Sequence, residues 1–177
     1  FGASGRIFTM GHALARLDIH VARLIVLSFN LSPMVGRIEG FDYISFWKRC
    51  GAMGLVASRL ARHFPEVNID EARVAGLIAN IGRVILAESI GSQYGEVCAS
   101  ALRRCESLDA VEREMLGSDH PTVAGRALSH WHFPQSLVNA IQAHLQPKVI
   151  SELPEHPREL AKVLHISSLI VDAVVDR

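Results

Sequence analysis

The chain has 177 residues, 49% of them apolar and 20% charged, and 18 Lys and Arg balance 18 Asp and Glu. That length suits one domain with a sizeable core, and the apolar content excludes a disordered tail. A formal charge of zero, with basic residues scattered and grouped only as Lys48-Arg49 and Arg103-Arg104, argues against a nucleic-acid binder.

Helical spacing dominates from the start, and strand alternation is scarce. Thr9 is placed to cap a short helix through "MGHALARL". Asp18 is placed to cap a second, "IHVARLIVLSFNL", with apolar positions at Val21, Leu24, Ile25 and Leu27. "SPMVGRIEG" reads as a linker by its Pro and Gly content. A long helix is expected from about Asp42 to Phe64, and its small residues Gly51, Gly54, Ala57 and Ala61 form a ridge for close helix approach. "PEVN" is a turn. Asp70 is the expected cap of one helix over "EARVAGLIANIGRVILAES", which Gly82 is placed to bend or break.

"SQYGEVCASALRRC" is the next expected helix. Ser107 caps "LDAVEREML", which Gly117 ends. Ser118 or Asp119 starts "HPTVAGRALSHW", with Pro121 tolerated in the first turn. Pro134 introduces "QSLVNAIQAHL", "QPKVISELPEHP" reads as a loop, and a last helix runs from about Arg158 to Asp176. The fold class expected is all-α, a compact single-domain multi-helix bundle without repeats or low-complexity segments.

Cys50, Cys98 and Cys105 are odd in number and form no CxxC, so neither a disulfide scaffold nor a zinc knuckle is expected. Free thiols suit a reducing cytosol. No apolar run reaches the roughly 18 residues of a membrane span, no signal peptide is visible, and a start at Phe1 leaves room for sequence upstream. The chain has no nucleophile elbow, P-loop or dinucleotide fingerprint. Glu112 and Glu114 read as a solvated helix face, and Cys50 reads as a core thiol although Arg49 stands beside it. Phe46-Trp47 and Trp131/Phe133 read as core anchors rather than as a platform for bases.

Five pieces then line up in order: "FWKRC" at 46–50, "AGLIANIGRVIL" at 75–86, "EREMLGSDHPTVAGRALSHWHFP" at 112–134, "AIQAHL" at 140–145, and a closing helix with Asp172. This order and spacing resembles the HDOD family, the HD-related output domains of bacterial signalling proteins. The resemblance covers nearly the whole chain, with 1–40 as an N-terminal helical segment and 41–177 as a degenerate HD-like core. It also implies upstream family helices that are absent or cut away here.

HDOD domains are similar to HD-type metal phosphohydrolases, where a His, a His-Asp pair and a distal Asp hold one metal or two and activate a bound water. The resemblance places the first ligand at Arg49 and the His-Asp pair at Ala79 and Asn80. Arginine has a fixed positive charge and cannot ligate a cation. Alanine offers no donor, and asparagine offers a weak carbonyl without charge. His120, His144 and Asp172 stand where later ligands would sit. His144 lies near a helix end, which modestly favours an imidazolium. Asn80, inside an apolar stretch, needs hydrogen bonds, with His120, His144 or backbone groups as the expected partners. The histidines His12, His20, His63, His130, His132, His156 and His165 show no ligand spacing. The set Arg49, Ala79, Asn80, His120, His144 and Asp172 is thus a degenerate former metal site, with no catalytic residue, metal or cofactor expected.

The function this implies is a non-catalytic signal-transduction module in the cytoplasm. Its partners would be attached or separate signalling domains (receiver, GAF, or cyclic-dinucleotide enzymes), with no nucleic acid or membrane, and its apolar content is compatible with a homodimer. Two alternatives stand beside it. One is a residual metal-dependent phosphohydrolase using His120, His144, Asp172 and Asn80. The other is a small-ligand sensor in which Arg49 holds a phosphate or carboxylate. Arg49 can equally pair with Asp172 as an internal salt bridge in the metal's stead.

Overall fold

A computed structural model describes residues 40–175. The expected caps at Thr9 and Asp18 and the two helices behind them lie outside the described residues.

Asp42 starts helix α1 (Tyr43–Leu60). Its carboxylate accepts the amides of Ile44 and Ser45 at 2.9 and 3.1 Å and the Ser45 hydroxyl at 2.7 Å. The Ser45 bonds hold its pKa below the ordinary aspartate value. A 3-10 turn, Ala61–His63, closes α1. Asn68 rather than Asp70 caps α2 (Ile69–Ile78), its side chain accepting from the amides of Asp70 and Glu71. The expected cap was two residues late because the turn "PEVN" itself ends in the capping asparagine.

The single helix expected over 71–89 is two. The break falls at Ala79-Asn80, and α3 (Ile81–Ile90) begins after it. Gly82 is not the hinge. A Cβ there would overlap the His120 carbonyl oxygen, so this glycine allows contact between α3 and a later helix.

Helix α4 (Ser92–Arg104) follows Gly91, and α5 (Leu108–Leu116) ends at Gly117, whose φ of +73° favours glycine. Asp119 caps α6 (His120–His130), accepting the Thr122 amide at 2.9 Å. Helix α7 (Gln135–Ala143) starts behind Pro134. The expected loop at 146–157 contains a short helix, α8 (Pro147–Glu152), with Pro147 in its first turn and Ile150 buried. One buried side chain in six residues gives no period to read. Helix α9 (Glu155–Val175) starts three residues earlier than expected, because Pro157 is tolerated in a first turn.

Among the described residues two apolar clusters form the core. One gathers Met53, Ala57, Ala75, Ala79, Leu128, Val138, Ile141, Leu160 and Leu164 from α1, α2, α6, α7 and α9, with Trp131 and Phe133 packed against it. The other gathers Phe46, Cys50, Ala87, Tyr94, Val97 and Val111 from α1, α3, α4 and α5. Helix α1 serves both, and Arg49 lies on it between Phe46 and Met53. Among the described residues no strand occurs, and no helix is long and apolar enough to cross a membrane.

The small-residue ridge holds at Gly54 and Ala57 of α1 and at Ala61 of the 3-10 turn behind it, all buried. A Cβ on Gly76 of α2 would stand 2.7 Å from the Met53 carbonyl oxygen and 2.8 Å from the Gly54 Cα. Gly51 does not join the ridge. It is exposed, and a Cβ there meets nothing within 4 Å. Urea denaturation should therefore separate two alanine variants of the helices. Gly76→Ala should lower the unfolding free energy by about 1–3 kcal/mol through overpacking. Gly51→Ala should raise it by about 0.5–1 kcal/mol through helix propensity. Equal shifts would contradict the packing described.

Candidate polar cleft between the two cores

The segment "GSDHP" places a histidine. Asp119 is buried at the cap of α6, where the Arg113 guanidinium reaches it at 2.5 Å while also bridging to Asp109 at 2.8 Å. Burial opposes the charge of Asp119, but the bonds from Thr122 and Arg113 outweigh it and keep the carboxyl below its ordinary range. This anchored cap delivers His120 as the first residue of α6.

The His120 amide donates to Glu112 Oε2 at 2.7 Å, and its Nδ1 lies 2.7 Å from the same oxygen. That oxygen is an acceptor, so Nδ1 carries the proton and Nε2 faces away from the carboxylate. The Tyr94 hydroxyl donates to the other oxygen, Oε1, at 2.5 Å. Burial, then the charge of Glu112, pushes the Tyr94 pKa far above its ordinary value, so it stays a donor. Arg83 on α3 adds its positive charge beside Tyr94, Cys98 and Glu112.

Glu112 is therefore not on a solvated face. It is 0% exposed and holds α4, α5 and α6 together through its two oxygens. Glu114 is exposed as expected and pairs with Arg104 at 2.6 Å. Glu112 was legible in principle. It falls with Leu108, Val111 and Met115 on the i, i+3, i+4, i+7 stripe of α5.

His144 ends α7 and is 1% exposed. Its Nδ1 lies 2.7 Å from the Ile141 carbonyl oxygen, which can only accept, so Nδ1 carries the proton here too. Burial holds the pKa down to about 4, and the nearby charges of His120, Arg49 and His165 push the same way. The helix-end dipole is outweighed, and the imidazole is neutral near pH 7. The His144 carbonyl in turn faces His165 Nδ1 at 2.8 Å.

Arg49, 8% exposed, reaches across from α1 to α9. Its Nη2 pairs with the Asp172 carboxylate and lies 3.3 Å from the Ser168 hydroxyl. Ser168 also faces Asp172 Oδ2 at 3.5 Å. The Asp172 side chain is 48% exposed, so one side of this bridge is open to water. Cys50 beside Arg49 is a core thiol, its pKa pushed up to about 12 by burial against the two nearby arginines.

Ala79 is fully buried in the first apolar cluster. Asn80 is 2% exposed, its side chain does not cap α3, and its Nδ2 has no hydrogen-bond partner. The partners expected for it are not in place on that atom. Yet it stands two residues before Gly82, whose Cα rests on the His120 backbone, so the α2–α3 break faces the start of α6.

Of the six positions, the structure links four, Arg49 with Asp172 and Arg49 with His120 and His144, while Ala79 lies in the apolar cluster and Asn80 has no bond to the others. His120, His144 and Arg49 share a local field, and Arg49 binds Asp172 directly. The donor set does not suit a divalent cation: it offers a guanidinium, a methyl group, an amide nitrogen with no partner, two imidazoles, and a carboxylate already paired. Among the described residues no three His, Cys, Asp or Glu side chains come together to hold a metal ion.

A family model described as the HDOD domain matches residues 1–147. The chain belongs to the HDOD domain family. No curated protein matches it. Among solved structures, this HDOD chain is similar to the MmoQ response regulator of Methylococcus capsulatus, at 27% identity and a TM-score of 0.68 over 97% of this chain and 66% of that one. An HDOD domain protein with unknown function from Geobacter sulfurreducens shares the fold at 16% identity and TM-score 0.67, over 98% of this chain and 57% of that one. A Shewanella amazonensis protein whose name proposes a phosphohydrolase shares the fold at 23% identity and TM-score 0.62, over 92% of this chain and 60% of that one. The HDOD chain spans about 60% of the length of that Shewanella protein.

The buried neutral His144 makes a pH prediction for this HDOD domain. Its imidazole protonates near 6.5 in an unfolded chain and near 4 in the fold. Between those values the unfolded state binds more protons, so acid favours unfolding. The unfolding free energy should fall as pH drops from 6.5 towards 4. His144→Gln should flatten that part of the profile, and an unaltered slope in the variant would contradict a neutral His144.

Proposed function

We propose that this domain is a non-catalytic signal-transduction module of bacterial proteins, working in the cytoplasm through contacts with attached or separate signalling domains. The observation that carries this reading is the Arg49–Asp172 bridge. A hydrolase of the related kind needs a cation with an open coordination position, where a water can lose a proton near neutral pH. A guanidinium supplies the charge but offers no such position and no Lewis acidity. Here it also consumes the distal carboxylate.

The output is then conformational. The bridge joins α1 to α9, and the water-exposed side of Asp172 is a contact for which a partner's charge can compete. Resemblance to a protein named as a response regulator supports the signalling half of the reading. A residual phosphohydrolase is disfavoured by the donor set. An anion-binding pocket at Arg49 is disfavoured because Asp172 already neutralises that charge.

Elemental analysis of protein purified without chelator tests the proposal, together with assays on cyclic dinucleotides under added manganese. No stoichiometric iron, manganese or zinc and no turnover are expected. Stoichiometric metal that disappears in His120→Ala would overturn the proposal.

A further inference from the structure

Helix α9 is apolar on two sides. Leu160, Val163, Leu164 and Val171 face the main core. Ile166, Leu169, Ile170 and Val174 recur at i, i+3, i+4 and i+8 on the outer side, and all four are exposed, Leu169 by 57% and Val174 by 72%. A surface helix ordinarily turns a polar face outward, and a contiguous apolar stripe in its place marks a contact surface. The family match covers residues 1–147 and ends before α9, so the stripe is no part of the matched domain.

One edge of the stripe carries charge in a fixed order. Arg158, Lys162, His165, Leu169 and Asp172 follow at alternate steps of four and three, which sets them on one line of the helix. The bases stand in its first half and the acid in its second. Glu159 pairs with Arg158 at 3.5 Å and with Lys162 at 2.7 Å, one acid against two bases. A lysine has three donors, so Lys162, 45% exposed, keeps donors for a second carboxylate. Asp172 turns its inner side to Arg49 and its outer side to water.

Lys162 and Asp172 are ten residues apart, about 15 Å along the axis, with Ile166 and Leu169 between them. Turned end over end, this edge offers acid to its own base and base to its own acid. The stripe is therefore complementary to itself. We propose that two copies of this chain pair α9 against α9, antiparallel, about a two-fold axis. Ile166 and Leu169 of both copies pack at the centre. Lys162 of each copy meets the outer side of Asp172 of the other. The pairing rests on the α9 surface and not on the signalling reading.

Sedimentation equilibrium on the whole chain, over a wide range of concentration, tests this. The mass should rise with concentration from one chain towards two. Leu169→Asp puts a charge in the apolar centre and should raise the dimer Kd at least about tenfold. Lys162→Glu sets an acid against Asp172 of the second copy and should raise it about threefold or more. Both positions are exposed, so both variants should keep the helical circular dichroism of wild type. If Leu169→Asp does not fold, Val174→Asp carries the test with the same expected loss. A chain that is monomeric at every concentration, as residues 1–39 laid over the stripe would make it, overturns the proposal. So does a dimer that Leu169→Asp leaves unaltered, which puts the interface elsewhere, or one that Lys162→Glu leaves unaltered, which removes the antiparallel pairing.

Discussion

A guanidinium on the buried face of a helix cannot lose its proton and cannot be left without anions. Arg49 stands on the buried face of α1, between a cluster of aromatic and small residues on one side and the main aliphatic core on the other. Its answer is Asp172, more than a hundred residues along the chain, with Ser168 beside it. This demand fixes how α9 lies on α1. Both helices contribute to the main core, so the orientation of α6 and α7 depends on it as well.

The rest of the polar cleft follows the same logic of paired burial. Glu112 has no contact with water, and its two oxygens take the Tyr94 hydroxyl, the His120 amide and His120 Nδ1. Breaking such a cluster at one member leaves the others unpaired at a cost of about 1–3 kcal/mol per group. It therefore acts as a specific joint between α4, α5 and α6 rather than as a source of net stability. His144 solves its burial differently, by staying neutral and donating to its own helix. Asn80 is uncharged, and among the described residues its Nδ2 has no partner.

The fold was legible wherever apolar residues recurred at helical spacing over three turns, as in α1, α6 and α9. The short-range signals fared less well. Asn68 displaced Asp70 as a cap because two candidates stood two residues apart. α8 was too short to show a period. Gly82 looked like a helix breaker but serves a contact with His120 from a distant part of the chain, which no local pattern records. Within the site, the six positions were marked by resemblance alone. Ser168, which bonds Arg49, and Tyr94 and Arg83, which stand against Glu112, left no signal, because a contact between distant helices has no spacing in the sequence. Glu112 was missed for another reason. Its position on the apolar stripe was readable, but its charge was given more weight than its place.

Arg49 and Asp172 hold α1 to α9 as one interacting pair. A double-mutant cycle with Arg49→Met, Asp172→Asn and the double variant, read by denaturant unfolding, measures it most directly. A coupling of about 1 kcal/mol or more is expected, at or above the upper end for fully exposed pairs. Additivity within about 0.3–0.5 kcal/mol, the range found for independent sites, would contradict it.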